Sequence, residues 1–302
     1  MAHMRASITE LLAPDLRKVY VEKGTEYPRE YPMVLNVSDM EWNPITDQQV
    51  SGLGTMPGKP EGTQFNLDQV IMGGTKTYTA QPYGLAVEIT YEAWKDELYG
   101  VFKEMVSCLA EAGRNREEVS AFAVLNNAFS TTYDGFTSGE SLCSTSHTSL
   151  DTSQTAQGNR PSVDIGFSLT GIQAGMKHFQ DLKNDRGLPT RIKPTRLLIT
   201  SNDMYAAREI LGSQYKPYTS DNEINALVED DLSYMVGHYI TTDTYWFLLA
   251  APGKHDLNFF WRDRPQSDMF DNPWTKDAVF TAYQRHTIGA YASWKGVYGS
   301  TG

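Results

Sequence analysis

The sequence predicts an α+β protein in which one long helix separates a thin, strand-rich front from a denser α/β back. Three observations carry that reading. Apolar residues keep helical spacing over about residues 91–129. Just before them, Tyr83, Leu85, Val87 and Ile89 alternate along a strand at 79–91. From residue 164 onward, helix and strand patterns follow one another closely, and "YWFLLAA" is apolar enough for a strand buried on both faces.

The elements follow in order. "SITELLAPDLRKVYVEKG" predicts a short helix capped near Ser7 or Thr9 and stopped around Pro14 and Gly24. "YPREYPMVLNVSDMEWNP" carries prolines at 28, 32 and 44 and predicts an extended arm, which needs a surface to lie on. Residues 52–78 predict a hairpin with strand character around Phe65, Leu67 and Ile71, framed by Gly54, Gly58, Gly62 and the pair Gly73-Gly74. It holds too few apolar residues to build a core of its own.

The long helix places Trp94, Leu98, Val101, Phe102, Met105 and Leu109 on one face, and Phe122, Leu125 and Phe129 resume the spacing. If continuous it is about 55 Å long. Its charges exclude a membrane span, and its stripe is too short for a heptad seam. Residues 130–163 are rich in Ser, Thr and Gly and predict a loop with at most a short strand near Leu142. "SLTGIQAGMKHFQDLKN" predicts a helix capped by Ser168, with Leu169, Ile172, Met176 and Phe179 on one face. "RIKPTRLLITSNDMYAAREILGS" reads strand, turn, helix, and "DNEINALVEDD" a further short helix. "YWFLLAA" and "LNFFWRD" are strands, and "DAVFTAYQRHTIGAYASWKGVYGS" one or two more.

Composition narrows the function. The 302 residues suffice for one large domain or two modest ones. A net charge of −11 argues against binding nucleic acid by phosphate neutralisation. Two cysteines, Cys108 and Cys143, do not make a disulfide framework, and reduced thiols are the default. Cys143 and His147 are close in sequence, but a nucleophile pair needs adjacency in space and an orienting group. A loop His and a small buried Cys is the simpler reading. His3, His147, His178, His238, His255 and His286 lack zinc-ligand spacing. The carboxylates at 228–231 read as a solvated helix end rather than a cation site. "MGGTKT" lacks the spacing of a phosphate loop. No catalytic, cofactor or metal site is expected.

The order of elements, with "EGTQFNLDQVIMGGTKTYTAQPYGLAVEITYEAWKDELYG", "SLCSTSHTS" and "ASWKGVYGS", resembles the major capsid protein of tailed double-stranded DNA phages. That family has the Hong Kong 97-type fold, and the Mu-like major head subunits are the branch resembled most. The order matches over nearly the whole chain; only those stretches match as motifs. The resemblance implies an N-terminal arm at 1–48 and an extended hairpin loop at 49–78. It implies a peripheral domain at 79–159 and 276–302, with a spine helix at about 92–130, and an inserted axial α/β domain at 160–275.

It further implies a structural protein that assembles with itself, as pentamers and hexamers, into an icosahedral or prolate head. That head encloses double-stranded DNA without sequence-specific binding, and no membrane is involved. Assembly in the host bacterial cytoplasm is implied, with scaffolding, portal and decoration proteins as further partners. Any scaffolding function belongs to a separate protein or to a segment removed ahead of residue 1. Phe65, Leu67, Ile71 and Lys76 would contact a neighbouring subunit, and Gly54, Gly62, Gly73 and Gly74 would act as hinges. Some members of the fold crosslink subunits through a Lys–Asn bond. Lys59 and Lys76 lie in the right region, but nothing identifies the Asn or carboxylate such chemistry requires. The alternative within the fold is an encapsulin-type shell that encloses cargo enzymes.

Overall fold

A computed structural model of the chain describes residues 8–90, 92–93, 96, 99–132, 139–216, 223–272, 274–275, 277–290 and 294–302. Ser7, Tyr91, Trp94 and Leu98, which carried expectations above, lie outside them. Helix α1 (Ile8–Thr25) ends where Gly24 predicts but runs through Pro14, where a stop was expected. A proline inside a helix costs about 3 kcal/mol. Leu16 and Tyr20, just beyond it, are buried in one cluster with Phe102, Leu109 and Phe280. Burying two such side chains returns about 4 kcal/mol, so packing prevails over local propensity.

The arm is not extended throughout. It contains a single turn, α2 (Tyr31–Val34), and strand β1 (Asn36–Asp39). Its surface is its own chain: β1 pairs in parallel with β8 (Leu257–Asp271). The hairpin strands are also displaced from their expected place. They are β2 (Ile45–Val50) and β3 (Met72–Tyr78), paired antiparallel. Residues 51–71 form no ladder, so the strand expected around Phe65, Leu67 and Ile71 is absent. Pro57 and Pro60 supply no ladder N–H on the opposite limb, and Gly58 and Gly62 weaken it further.

Strand β4 (Gln81–Ile89) leads to the long helix α3 (Tyr99–Asn126), whose 28 residues span about 42 Å. Phe102, Leu109, Phe122 and Leu125 are buried as expected, but Val101 is exposed. Among its described residues the Ser/Thr-rich loop has no strand near Leu142, and a bridge joins His147 to Gln157. Helix α4 (Leu169–Asp181) is capped by Ser168, whose side chain accepts from the Gly171 N–H. Strand β5 (Pro194–Ile199), a 3-10 turn and α5 (Met204–Gly212) follow. The helix expected near 221–231 is a 3-10 turn at Ala226–Asp230. The remaining strands are β6 (Ser233–Val236), β7 (Trp246–Ala250), β9 (Ala278–Ala290) and β10 (Val297–Ser300). Every residue of β7 is buried. Strand β8 continues well past the expected "LNFFWRD", with its register shifts falling between Trp261 and Gln266, where Pro265 interrupts the ladder.

One sheet has the order β1-β8-β9-β4, a second β10-β7-β5-β6, and β2-β3 stand apart as a ribbon. The sheets cut across the division expected at 160 and 276: β8 joins the first sheet and β10 the second. The second half of α3 lies over a core that both sheets share, through Phe122, Leu125, Phe247, Phe259 and Val297.

Candidate functional site

The segment that could not supply its own core is the extended loop, residues 51–71, carried on the β2-β3 ribbon. Its tip presents Met56 at 98%, Phe65 at 79% and Leu67 at 95% exposure. The Lys59 ammonium lies 4.6 Å from the Phe65 ring centre, a cation–π contact. The four residues expected as contacts therefore do not form one surface. Phe65 and Leu67 stand out from the subunit, whereas Ile71 sits half-buried at the loop's base. There the Ser51 N–H donates to the Ile71 carbonyl at 2.9 Å, and the Ile71 N–H to Ser51 Oγ at 3.0 Å. Lys76 lies in β3 directly opposite Asp47.

The expected hinge glycines differ in what their backbones require. Gly62 has φ +80°, a conformation other residues adopt only with strain. Gly73 is a close approach, since a Cβ there would stand 2.6 Å from Leu150. The Gly54 N–H donates to Asp68 Oδ2 at 2.8 Å, which closes the neck of the loop and holds the Asp68 carboxyl below its usual range. Gly74 is an exposed residue of β3.

The loop's footing was not anticipated from the sequence. Arg186, at 16% side-chain exposure, donates to the Gly52 carbonyl at 3.2 Å, to Asp68 Oδ1 at 3.1 Å, and to the Gln69 carbonyl. It also reaches Asp151 Oδ2 at 3.4 Å. Beneath it, Lys295 pairs with Asp185 at 3.0 Å.

Asn159, fully buried, ties the 142–147 segment to the C-terminal strand. Its Nδ2 donates to the carbonyls of Leu142 and Val297 at 2.8 and 3.0 Å, and its Oδ1 accepts from the Ser144 N–H at 2.9 Å. His147 stacks on Trp294 with ring centres 4.3 Å apart. The stretches "SLCSTSHTS" and "SWKGVYGS" thus meet in space. Their residue types make one joint: a Cβ on Gly299 would stand 2.9 Å from Cys143 Sγ.

This joint is structural. Burial pushes the Cys143 thiol up, away from thiolate formation, and its sulfur has no hydrogen bond to His147. His147 is placed by Glu140 and Asn159, at 3.0 and 2.9 Å, and burial holds it below its ordinary pKa although both ring nitrogens face oxygens. In the acidic stretch at 228–231, Asp230 pairs with Lys193. Among the described residues no group of His, Cys, Asp or Glu is arranged to hold a metal, and no helix is long and apolar enough to cross a membrane.

Elsewhere on the subunit, α3 and the β4-β9 edge line a groove of about 510 Å³. Tyr20, Leu85, Leu109, Arg116 and Tyr283 line it. Leu85, expected on the inner face of its strand, is 57% exposed because it opens into this groove.

A protein family described as phage capsid protein matches residues 74–300. The fold is similar to that of a virus-like particle from Pyrococcus furiosus, with TM-score 0.56 and 10% identity over 95% of this chain and 98% of that one. It is similar to the capsid of cyanophage P-SCSP1u, with TM-score 0.62 and 10% identity over 90% and 87% of the two chains. It is similar also to the procapsid of bacteriophage JBD30, with TM-score 0.53 and 14% identity over 98% and 75%. No curated protein matches the sequence.

Proposed function

The chain belongs to the phage capsid protein family, and from that premise we propose that its copies assemble as pentamers and hexamers into a closed head around double-stranded DNA. The fold is of the Hong Kong 97 type, and the role is structural, in a capsid shell, rather than enzymatic. The observation that carries the finer reading is the loop at 51–71. It holds Phe65 and Leu67 out in water from an anchored base, which is unfavourable for a monomer and useful only if another surface covers them. The groove between α3 and β4 has the apolar chemistry to receive such a tip from a second copy.

The accessible surface agrees. The chain exposes 17452 Å², against about 12,800 Å² for a compact monomer of 33.9 kDa. The excess is surface that neighbouring subunits can cover. In this reading residues 1–48 are the N-terminal arm, α3 the spine helix, and the unit expected at 160–275, without β8 and with β10 added, the axial domain around the five-fold and quasi-six-fold axes. Gly54, Gly62, Gly73 and Gly74 let the loop follow local curvature. The motif stretches support a place in the Mu-like branch. Scaffolding, portal and decoration proteins would be further partners, with assembly in the bacterial cytoplasm.

The test is to express the chain alone, isolate its largest species and image it by negative-stain electron microscopy. Closed shells or rings of five and six subunits are expected. Open sheets or monomer would call for repeating the assembly with the phage's scaffolding protein. A compact monomer at high concentration with residues 49–78 resistant to protease would overturn the reading. The fold is shared with a virus-like particle as well as with phage capsids, so the encapsulin-type shell expected as the alternative is the second reading, which the contents of the shells distinguish.

A further inference from the structure

The extended loop lacks a hydrophobic core, yet its neck has a defined path. Residues 52–70 are exposed, and the ribbon below them is a two-stranded ladder, which is marginal on its own. Something other than burial fixes the direction in which the loop leaves the subunit.

We propose that Arg186 is a latch that positions the extended loop on its own subunit, by gathering both limbs of the loop's neck onto the 183–189 turn. One limb is reached at the Gly52 carbonyl, the other at Asp68 and the Gln69 carbonyl. A planar guanidinium can engage all of these together with Asp151, which an ammonium cannot.

The turn is shaped to present this side chain. Asn184 Oδ1 accepts the N–H groups of Arg186 and Leu188 at 2.9 and 2.8 Å, and the Asn184 N–H donates to the Leu188 carbonyl at 2.7 Å. Gly187 has φ +77°, and a Cβ there would lie 2.4 Å from Gln154 Oε1, so the turn is pressed against the segment that carries Asp151. Lys295 fixes the same turn from below through Asp185. The guanidinium thus sits on a rigid mount and holds a segment that has no other core. Its removal frees the loop without dissolving any hydrophobic cluster.

The inference concerns the geometry within one subunit and stands apart from the assembly reading. Its test is hydrogen–deuterium exchange on the full chain before assembly, comparing wild type with Arg186→Met and following the amides of Ser51, Gly54 and Ile71. These are expected to exchange about tenfold faster or more, while α4 and β7 keep wild-type rates. Wild-type rates at all three amides in R186M overturn the proposal. If R186M also loosens α4 and β7, the exposed Asp68→Ala variant decides the matter through Ser51 and Ile71, whose amides do not bond to Asp68. Acceleration confined to 51–71 then supports the latch, and unchanged rates overturn it.

Discussion

Asn159 and His286 are both fully buried polar side chains, and they behave in opposite ways. Asn159 is satisfied on every side, so its loss strands the Leu142 and Val297 carbonyls and the Ser144 N–H inside the protein. Asn159→Ala should therefore destabilise the fold by about 4 kcal/mol, read as a lower denaturant midpoint with an unchanged slope. Among the described residues His286 has no hydrogen-bond partner at either nitrogen, and its ring stacks on those of Tyr83 and Phe259, at 4.6 and 5.0 Å. Burial, helped by Arg116, pushes it down to about 4. The unfolded chain takes up that proton first, near the ordinary value of about 6.5. His286 thus leaves stability intact above that pH and removes it as pH falls toward 4. His255, also held at about 4, acts in the same direction. Glu118 opposes them: burial raises it to about 7, so its effect on stability is a loss as pH rises from the usual carboxylate range through 7. His286→Phe should keep the ring stack and lower the acid-unfolding midpoint, followed by tryptophan fluorescence. An unmoved midpoint would assign the acid sensitivity to other groups.

At the level of elements, what the sequence made legible tracks where burial decides. The α3 stripe and the fully apolar β7 were readable because their side chains report their own burial. Strand β2 was not, because its inward residues are Ile45, Asp47 and Gln49, and its ladder rather than an apolar face holds it. Arg186 was invisible for a different reason: its partners lie 35 to 134 positions away, and a lone Arg in a turn predicts only exposure. Phe65 and Leu67 were legible as residues without a core, which is what their exposure expresses. Replacing both by serine tests what that exposure is for. Phe65→Ser with Leu67→Ser should leave the unfolding midpoint of the isolated subunit within about 0.5 kcal/mol of wild type, since both are exposed surface positions. The same change should abolish or strongly reduce shell formation in the electron microscope. Loss of monomer stability instead would mean that the tip packs on its own chain.

For the whole molecule, charge and surface act against each other. Each chain carries −11, and a shell brings many such chains within a few ångströms. The apolar tip and the excess surface favour association, whereas like charge opposes it at distances up to the screening length, about 30 Å at 0.01 M salt and about 8 Å at 0.15 M. If apolar burial drives the contacts and charge only resists them, raising the ionic strength should increase the yield of closed shells, because the attraction is unscreened and the repulsion is not. Lowering the pH from 8 to about 6.5, toward the isoelectric point near 5.0 but above the window in which His286 and His255 remove stability, should act in the same direction at fixed salt. Light scattering across a salt series at constant pH separates the two cases. Yield rising with salt supports apolar contacts restrained by charge. Yield falling with salt would mean that ion pairs between subunits carry the assembly, and the exposed carboxylates would then have to be mapped against neighbouring lysines and arginines instead of the groove beside α3.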